Sequence, residues 1–400
     1  MTYDAIDLYA GAGGWDQAAR QLGLTTVGLE IWHDACVTAV NAGHPRIRCD
    51  IATYPTAPFT GVRGLIASPP CQAWSTAGKR QGEQDKARVH ELVNAYAAGA
   101  DEPGDGWADD RSHHAAQPVR WIRDLRPEWV AMEQVPPVLD LWCHIGDVLR
   151  GWGYSVWVGV LNSADYGVPQ TRQRAVLIAS RVRAVFQPET THEENPPADA
   201  LFGARRPWVS MAEALGWADG MEVVSNYGTG GDSSNRGVRS ASQPASTVTS
   251  KVDRAKVRWA VDRRTRSKGA GGSMYPTPLV DDDRPAPTLT ANQRWVLQSR
   301  RDSPKWVAEH GERRNRELAE PAPTVTGEVH RWSVTGDEES RPITLTEAAL
   351  LQSFPADYPW HGNQGSRSLQ VGNAVPPGLA AAVLAVAAGV PAAARLDLAA

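Results

Sequence analysis

Asp7-Leu8-Tyr9-Ala10-Gly11-Ala12-Gly13-Gly14-Trp15 follows the short apolar run that begins at Ala5 and leads into a stretch of helical pattern over residues 15–22. A strand that enters a glycine turn and leaves as a helix has a specific physical use. Glycine accepts positive φ and lets backbone or ligand approach closely, and the helix N-terminus behind it offers backbone donors to a carboxylate or phosphate. Residues 25–30 (TTVGLE) read as the next strand, which ends on Glu30, an acidic residue at the distance that suits ribose hydroxyls. Trp32, two residues on, has a ring able to lie on an adenine. Many glycine turns are only tight turns; Glu30 at this spacing makes nucleoside-cofactor binding the better reading.

Outward from this stretch the first half alternates strands and helices. Residues 33–41 read as a second helix, and residues 64–68 (GLIAS), 128–133 (EWVAME) and 175–179 as further strands. The alternation predicts an α/β fold with a parallel sheet covered on both faces, which binds ligands beyond the carboxyl ends of its strands. Residues 81–118, rich in Gly, Asp, Glu and His, read as a long mobile loop with one short helix around 87–96, the kind of segment that serves as a lid. Beyond about Arg205, Pro, Gly and Arg rise and helical periodicity fades. Three copies of a short motif recur there, from Pro244 to Thr249, Pro285 to Thr290 and Pro321 to Thr326, followed by the pairs Arg258-Trp259, Arg294-Trp295 and Arg331-Trp332. Their unequal spacing excludes a solenoid and suggests repeated β-units in a small, loop-rich domain. The threonine stretches read as strands and the tryptophans as core, with the arginines free to face phosphates or bases. Helical character returns from about residue 343. A helix starts at residues 345–347 with Thr344 or Thr346 as cap, and residues 379–390 read as an alanine-rich amphipathic helix returning to the first domain.

The 400 residues are 42% hydrophobic and 22% charged, an ordinary globular composition with length for two domains. Cys36, Cys49, Cys71 and Cys143 lie far apart, with no zinc or redox spacing, so reduced intracellular thiols are expected. No signal-peptide pattern opens the chain and no apolar run is read as membrane length, so the expected location is the cytoplasm. The net charge of −4 is uneven: residues 251–333 hold 17 Lys and Arg against 11 Asp and Glu, a balance of +6 that leaves −10 on the rest. A basic segment on an acidic body fits a local polyanion contact or a solvated loop equally well.

Three further stretches carry chemistry. In Ser68-Pro69-Pro70-Cys71-Gln72-Ala73-Trp74-Ser75, the prolines stiffen the approach to a cysteine at a strand's end. Most lone cysteines are small core residues, but this setting favours a nucleophile. In Met132-Glu133-Gln134-Val135 the carboxylate is either a buried acid able to share a proton with a ring nitrogen or a helix-start residue supporting the following dipole. In Gln170-Thr171-Arg172-Gln173-Arg174, arginines two apart on a strand point the same way and suit a base carbonyl and a phosphate; the bland alternative is a surface pair.

Taken in order, these motifs resemble the cytosine carbon-5 DNA methyltransferase family. DLYAGAGGW looks like its cofactor turn, SPPCQAWS its nucleophile motif, MEQV its Glu-Asn-Val and QTRQR its Gln-x-Arg-x-Arg, while LTEAALLQSFP and GNAVPP resemble its two C-terminal motifs. The matches span about residues 4–180 and 341–385. The resemblance implies a Rossmann-like S-adenosylmethionine-dependent catalytic domain over residues 1–200, a smaller β and loop-rich target-recognition domain over 201–340, and a segment, 341–400, returning to the first domain. It implies that Cys71 adds to carbon 6 of a cytosine flipped from double-stranded DNA, Glu133 acts at N3, and Arg172 with Arg174 holds O2. Tyr9, Ala10, Gly11, Gly13, Gly14, Trp15, Glu30, Ile31, Trp32, Asp50, Ile51, Asn373 and Ala374 fall on cofactor positions, and Gln72, Ser75, Gln170, Arg258, Arg294 and Arg331 are the expected DNA contacts. No metal and no membrane are implied; a monomer is expected, with a cognate restriction endonuclease as a possible partner in a bacterium or its virus. Tyr9 replaces the family's Phe, Gln134 its Asn and Leu350 a common Arg, and the loop after Ser75 is longer than typical. A tRNA cytosine methyltransferase is the rival enzyme, although the recognition region of about 135 residues argues for DNA. A catalytically silent DNA-binding relative would not need Cys71, Glu133, Arg172 and Arg174 together. Pro-Pro-Cys in place of Asp/Asn-Pro-Pro-Tyr/Phe argues against amino-group methylation.

Overall fold

The computed structural model describes residues 3–74, 82–196, 205–216 and 344–391, together with the backbone of short strands between residues 222 and 342. Eight strands build the first half: β1 (Ala5–Leu8), β2 (Thr26–Glu30), β3 (Arg46–Arg48), β4 (Gly64–Ala67), β5 (Trp129–Gln134), β6 (Ser155–Asn162), β7 (Gln170–Thr171) and β8 (Gln173–Ser180). All but β7 form one seven-stranded sheet in the order β3-β2-β1-β4-β5-β8-β6. The first five run parallel, and β8 is antiparallel to both β5 and β6. The strand order reverses between β1 and β4, the kind of switch point at which such sheets open a crevice. Because β8 runs the other way, its N-terminal end meets the carboxyl ends of β4 and β5 at the same sheet edge.

Side chains alternate across the sheet, and each face has its own core. Ile6 and Leu8 of β1, Val130 and Met132 of β5 and Ala175, Leu177 and Ala179 of β8 pack on one face. That face is covered by α3 (Gly82–Ala97), α4 (Gln117–Leu125) and α5 (Leu139–Gly151). Ala5, Trp129, Ala131, Val176 and Ile178 pack on the other against α1 (Gly14–Gln21). The remaining helices are α2 (His33–Asn41), α6 (Met211–Leu215), α7 (Leu345–Leu351), α8 (Gln364–Asn373) and α9 (Pro377–Ala388). Every residue of α9 is buried among α1, β5 and β8, so the last helix among the described residues is a core element of the first sheet.

Several expectations change. The stretch read as a mobile loop with one short helix around 87–96 holds a longer helix, the 16-residue α3, whose Val89, Leu92, Val93 and Tyr96 recur at i, i+3, i+4 and i+7 and are buried. Its first turn, which opens on Gly82 and carries charge, hides its start. The C-terminal helix is buried all round rather than amphipathic, as an alanine-rich helix between a sheet and another helix can be. The most apolar 18-residue window within Gln364–Ala388 has a mean hydropathy of 1.6, but 89% of it is buried inside the fold, as in a core helix. Strands β3 and β6 were not read from the sequence at all. Thr344 is the cap of α7, in a complete capping box with Glu347.

Candidate active site

The glycine turn follows from the backbone it must adopt. Gly11 and Gly13 have φ of 53° and 109°, and a Cβ on Gly13 would stand 2.6 Å from the Tyr358 hydroxyl. A Cβ on Gly14 would collide with the carbonyl of Val375, so this glycine lets residues 373–375 dock against the turn. Asn373 is exposed at the end of α8 and Ala374 half-buried beside it. A Cβ on Gly11, by contrast, would meet nothing within 4 Å: here the turn faces open space. Glu30, at the end of β2, spans the turn, with Oε2 accepting from Gly11 N (2.9 Å) and Oε1 from Trp32 N (2.7 Å). Ile31 next to it is 60% exposed, a large apolar side chain with no cover, and Trp32 is half-buried. Asp50 lies just past β3, its Oδ1 accepting from Ala52 N. An open turn, a carboxylate, an uncovered apolar side chain and a second carboxylate at three adjacent strand ends fit the nucleoside of S-adenosylmethionine. Ala10 and Ile51 are buried beneath this surface. Trp15 departs from its expected place: its ring is 2% exposed and donates from Nε1 to Ser68 Oγ at 2.8 Å. It ties α1 to the end of β4 across the switch point, and its ring presents no surface to a ligand.

Behind the turn lies a buried network that the sequence reading missed. The Arg46 guanidinium crosses over Gly28, which has no side chain to block it, and pairs with Asp16 at 2.6 Å with both side chains essentially inaccessible. It also donates to the carbonyl of Gly11 at 3.3 Å, while the Tyr358 hydroxyl donates to Ala12 O at 2.5 Å. Asp7, fully buried on the same strand as the turn, has its carboxyl pushed well up by burial and by neighbouring Asp16. No local spacing in the sequence signals that Arg46 and Tyr358 converge on residues 10–13.

On the other side of the switch point stand Cys71 and its neighbours. β4 ends at Ala67, and Ser68 N donates to Leu8 O. Gln134 Nε2 donates to Pro69 O at 2.7 Å, and its Oε1 accepts from Val135 N. The longer Gln in place of Asn thus reaches across and pins the Pro-Pro approach to Cys71. Glu133 is 6% exposed and Arg174 8%; Arg174 Nε pairs with Glu133 Oε1 at 2.7 Å. The register explains the pair: Glu133 faces Val176 across β5 and β8, and Arg174 shares Val176's side of its strand. Arg172 sits between β7 and β8, buried, with Nη1 donating to Gly372 O at 3.2 Å. Burial pushes the Cys71 thiol up; Arg174 and Arg172 pull it back down, and Glu133 pushes it up. The same burial, with Arg174 adding to it, pulls Arg172 well down from the usual guanidinium range. Cys71, Glu133, Arg172 and Arg174 are therefore electrostatically in one place, although 103 positions separate Cys71 from Arg174.

Gln72 is exposed at the mouth. Gln170 corrects an expectation: it is fully buried and its Nε2 donates to Leu351 O at 3.3 Å, a tie to α7 rather than a surface contact. Ser75, Arg258, Arg294 and Arg331, and the threonine stretches of the three repeats, lie outside the described residues. Among the described residues no group of three or more His, Cys, Asp or Glu is placed to hold a metal, and all four cysteines are free thiols.

The model of the family "C-5 cytosine-specific DNA methylase" matches residues 3–102 and 103–387. The chain is 26% identical over 407 residues to the Type II methyltransferase M1.HphI of Haemophilus parahaemolyticus, covering 96% of this chain and 86% of that one. It is also 26% identical to the Type II methyltransferase M.SacI of Streptomyces achromogenes, covering 93% and 89%. Among solved structures, the Dnmt2 methyltransferase of S. pombe superposes with a TM-score of 0.54 at 14% identity, covering 97% of this chain and 98% of that one, and a prophage-encoded DNA modification methyltransferase of E. coli with 0.53 at 16%. These likenesses carry the fold, a Rossmann-like methyltransferase sheet. With its open glycine turn on one side of the switch point and its thiol, carboxylate and two guanidiniums on the other, the chain belongs to the C-5 cytosine-specific DNA methylase family and is an S-adenosylmethionine-dependent DNA cytosine methyltransferase.

Proposed function

We propose that this enzyme methylates carbon 5 of a cytosine flipped out of double-stranded DNA, with Cys71 as a transient covalent nucleophile. The observation that carries this reading is the convergence of Cys71, Glu133, Arg172 and Arg174 at one edge of the sheet. Carbon 5 of cytosine is a poor nucleophile, and addition of a thiolate to carbon 6 makes it enamine-like. Cys71 loses its proton and forms the S–C6 bond; Glu133 holds a proton at ring N3 and so accepts the charge that leaves the C5–C6 bond. Arg174 and Arg172 hold O2, where negative charge builds. When bound, S-adenosylmethionine would supply an electrophilic methyl group to carbon 5 by cleavage of its S–CH3 bond, leaving as S-adenosylhomocysteine. Loss of the carbon-5 proton then restores the ring double bond and expels Cys71 as a thiolate.

Tyr9, Ala10, Gly11, Gly13, Gly14, Glu30, Ile31, Trp32, Asp50, Ile51, Asn373 and Ala374 would hold the methyl donor, through side chains where these are open and through backbone where they are buried; Trp15 supports them from behind. Gln72 and Ser75 meet the target strand at the mouth. Residues 1–200 and 341–400 form the catalytic domain and 201–340 the target-recognition domain, where Arg258, Arg294 and Arg331 meet phosphates or bases; the +6 balance of residues 251–333 supports this. The enzyme acts as a monomer in the cytoplasm beside a cognate restriction endonuclease, a setting supported by the Type II names of its relatives.

Bisulfite sequencing of DNA from cells expressing the chain tests the reading. A single protected cytosine motif is expected, lost with Cys71→Ala while DNA binding by gel shift persists. Protection that survives Cys71→Ala would remove Cys71 from the mechanism.

A further inference from the structure

Tyr9 leaves β1 with φ at 63°, the left-handed region that side-chain-bearing residues enter only when their surroundings hold them there. Its hydroxyl supplies such a hold. It lies 3.0 Å from His114 Nδ1 and 3.4 Å from the His114 carbonyl, and the two rings meet edge to face at 5.5 Å and 81°. His114 belongs to the single turn Ser112–Ala115, in the stretch read from sequence as loop. That turn is itself anchored: Ser112 Oγ donates to Asp85 Oδ2 on α3 at 2.7 Å, and Ala115 is fully buried. Burial, with His113 adding to it, pulls His114 down to about 4, so the ring is neutral at neutral pH. With its proton on Nε2 it offers Nδ1 as an acceptor. After burial, the Asp50 carboxylate is the largest influence on the Tyr9 hydroxyl, and it also acts on His114, which sets these groups around one space with Glu30.

We propose that His114 is a positioning residue of the methyl-donor pocket: its imidazole accepts the Tyr9 hydroxyl and holds the Tyr9 ring as a wall of the nucleoside site. The proposal rests on assigning the turn from Tyr9 to Glu30 to that pocket. Phe, which the family resemblance puts at this position, has no hydroxyl, so the anchor belongs to this chain's own Tyr-His pair.

The test is titration calorimetry of the full chain with S-adenosylhomocysteine, alongside the ligand-free melting temperature and kcat and KM for S-adenosylmethionine. The variants are Tyr9→Phe, His114→Leu and the two combined. Each single change removes the side-chain hydrogen bond of the pair and is expected to weaken binding by about ten-fold, with kcat/KM for S-adenosylmethionine falling by more than kcat. Replacing both partners leaves neither polar half of the pair behind, so the double variant is expected to bind within about three-fold of wild type. His114→Asn, whose side-chain oxygen can accept the hydroxyl, is expected to recover part of the lost affinity. Single variants that melt earlier yet bind like wild type would overturn the proposal, as would losses that simply add in the double variant. A wild-type chain that does not bind S-adenosylhomocysteine would remove the pocket assignment itself, and the proposal with it.

Discussion

Cys71 sits where opposing influences meet. Burial raises its thiol, two guanidiniums lower it and the Glu133 carboxylate raises it again. Glu133 therefore works against the thiolate in the resting enzyme, and in the proposed mechanism its charge is offset once it shares a proton with the ring. Neutralising it by Glu133→Gln is expected to lower the Cys71 pKa, because the raising charge is gone and Arg174 is released from its pair. The rate of alkylation by iodoacetamide against pH, followed on the peptide that carries residue 71, reads this: the midpoint moves to lower pH while turnover falls by at least about 10²-fold. A midpoint that stays or moves upward would contradict the assignment of Glu133. At this scale the sequence was most readable, since Cys71, Glu133 and the two arginines announce themselves by local motif. Gln134 and Gln170 did not. Whether a glutamine beside a motif faces the ligand, the neighbouring strand or a distant helix is set by partners such as Pro69 and Leu351, which local spacing cannot name.

The element that organises the first half of the site is the glycine turn, and its rigidity comes from behind. Arg46 is buried with Asp16 as its charge partner while also donating to the turn's carbonyls. Arg46→Leu would leave the Asp16 carboxylate buried without its cation, at a cost of about 3–5 kcal/mol, and would free the Gly11 carbonyl. Urea unfolding measures the first effect, and a weakened S-adenosylhomocysteine affinity in the surviving folded fraction the second. Unchanged stability would show that the pair does not hold the turn. The strand–turn–helix was legible because glycine spacing and Glu30 are local signals. Helix α3 was legible only over residues 87–96, which carry its buried stripe of Val89, Leu92, Val93 and Tyr96; its first turn, which opens on Gly82 and carries charge, was not. Strand β3, three residues long, is below the length at which alternation can be read.

For the whole molecule, the parallel sheet could be anticipated from alternating strands and helices, and so could the return of the C-terminal helix to the first domain, but not which surfaces enclose that helix. The last helix enters the core against α1, β5 and β8, and an alanine-rich segment read in isolation carries no sign of which surfaces will enclose it. Burial has a global consequence for pH. His44, His114 and His192 are each pulled from 6.5 to about 4, with burial the largest cause in all three. Between these values the unfolded chain binds protons that the fold refuses, so stability is full above 6.5 and declines as pH falls toward 4. His90 and His113 are lowered as well, whereas Asp7 and Asp165, raised chiefly by burial, act in the opposite sense; among the described residues five imidazoles oppose two carboxyls. Urea midpoints are expected to be lower at pH 5 than at pH 7; equal midpoints would show that these imidazoles are hydrated in the fold.

The proposed covalent role of Cys71 can be tested by trapping the adduct. In a duplex carrying 5-fluorocytosine at the methylated position, the ring has no carbon-5 proton to lose after methyl transfer, so the thiol cannot be expelled. Incubation with S-adenosylmethionine followed by peptide mass spectrometry is expected to find the DNA adduct on the peptide carrying residue 71, stable to denaturant and absent from Cys71→Ala. An adduct on Cys36, Cys49 or Cys143, or no adduct on a duplex whose unfluorinated twin is methylated, would contradict the account.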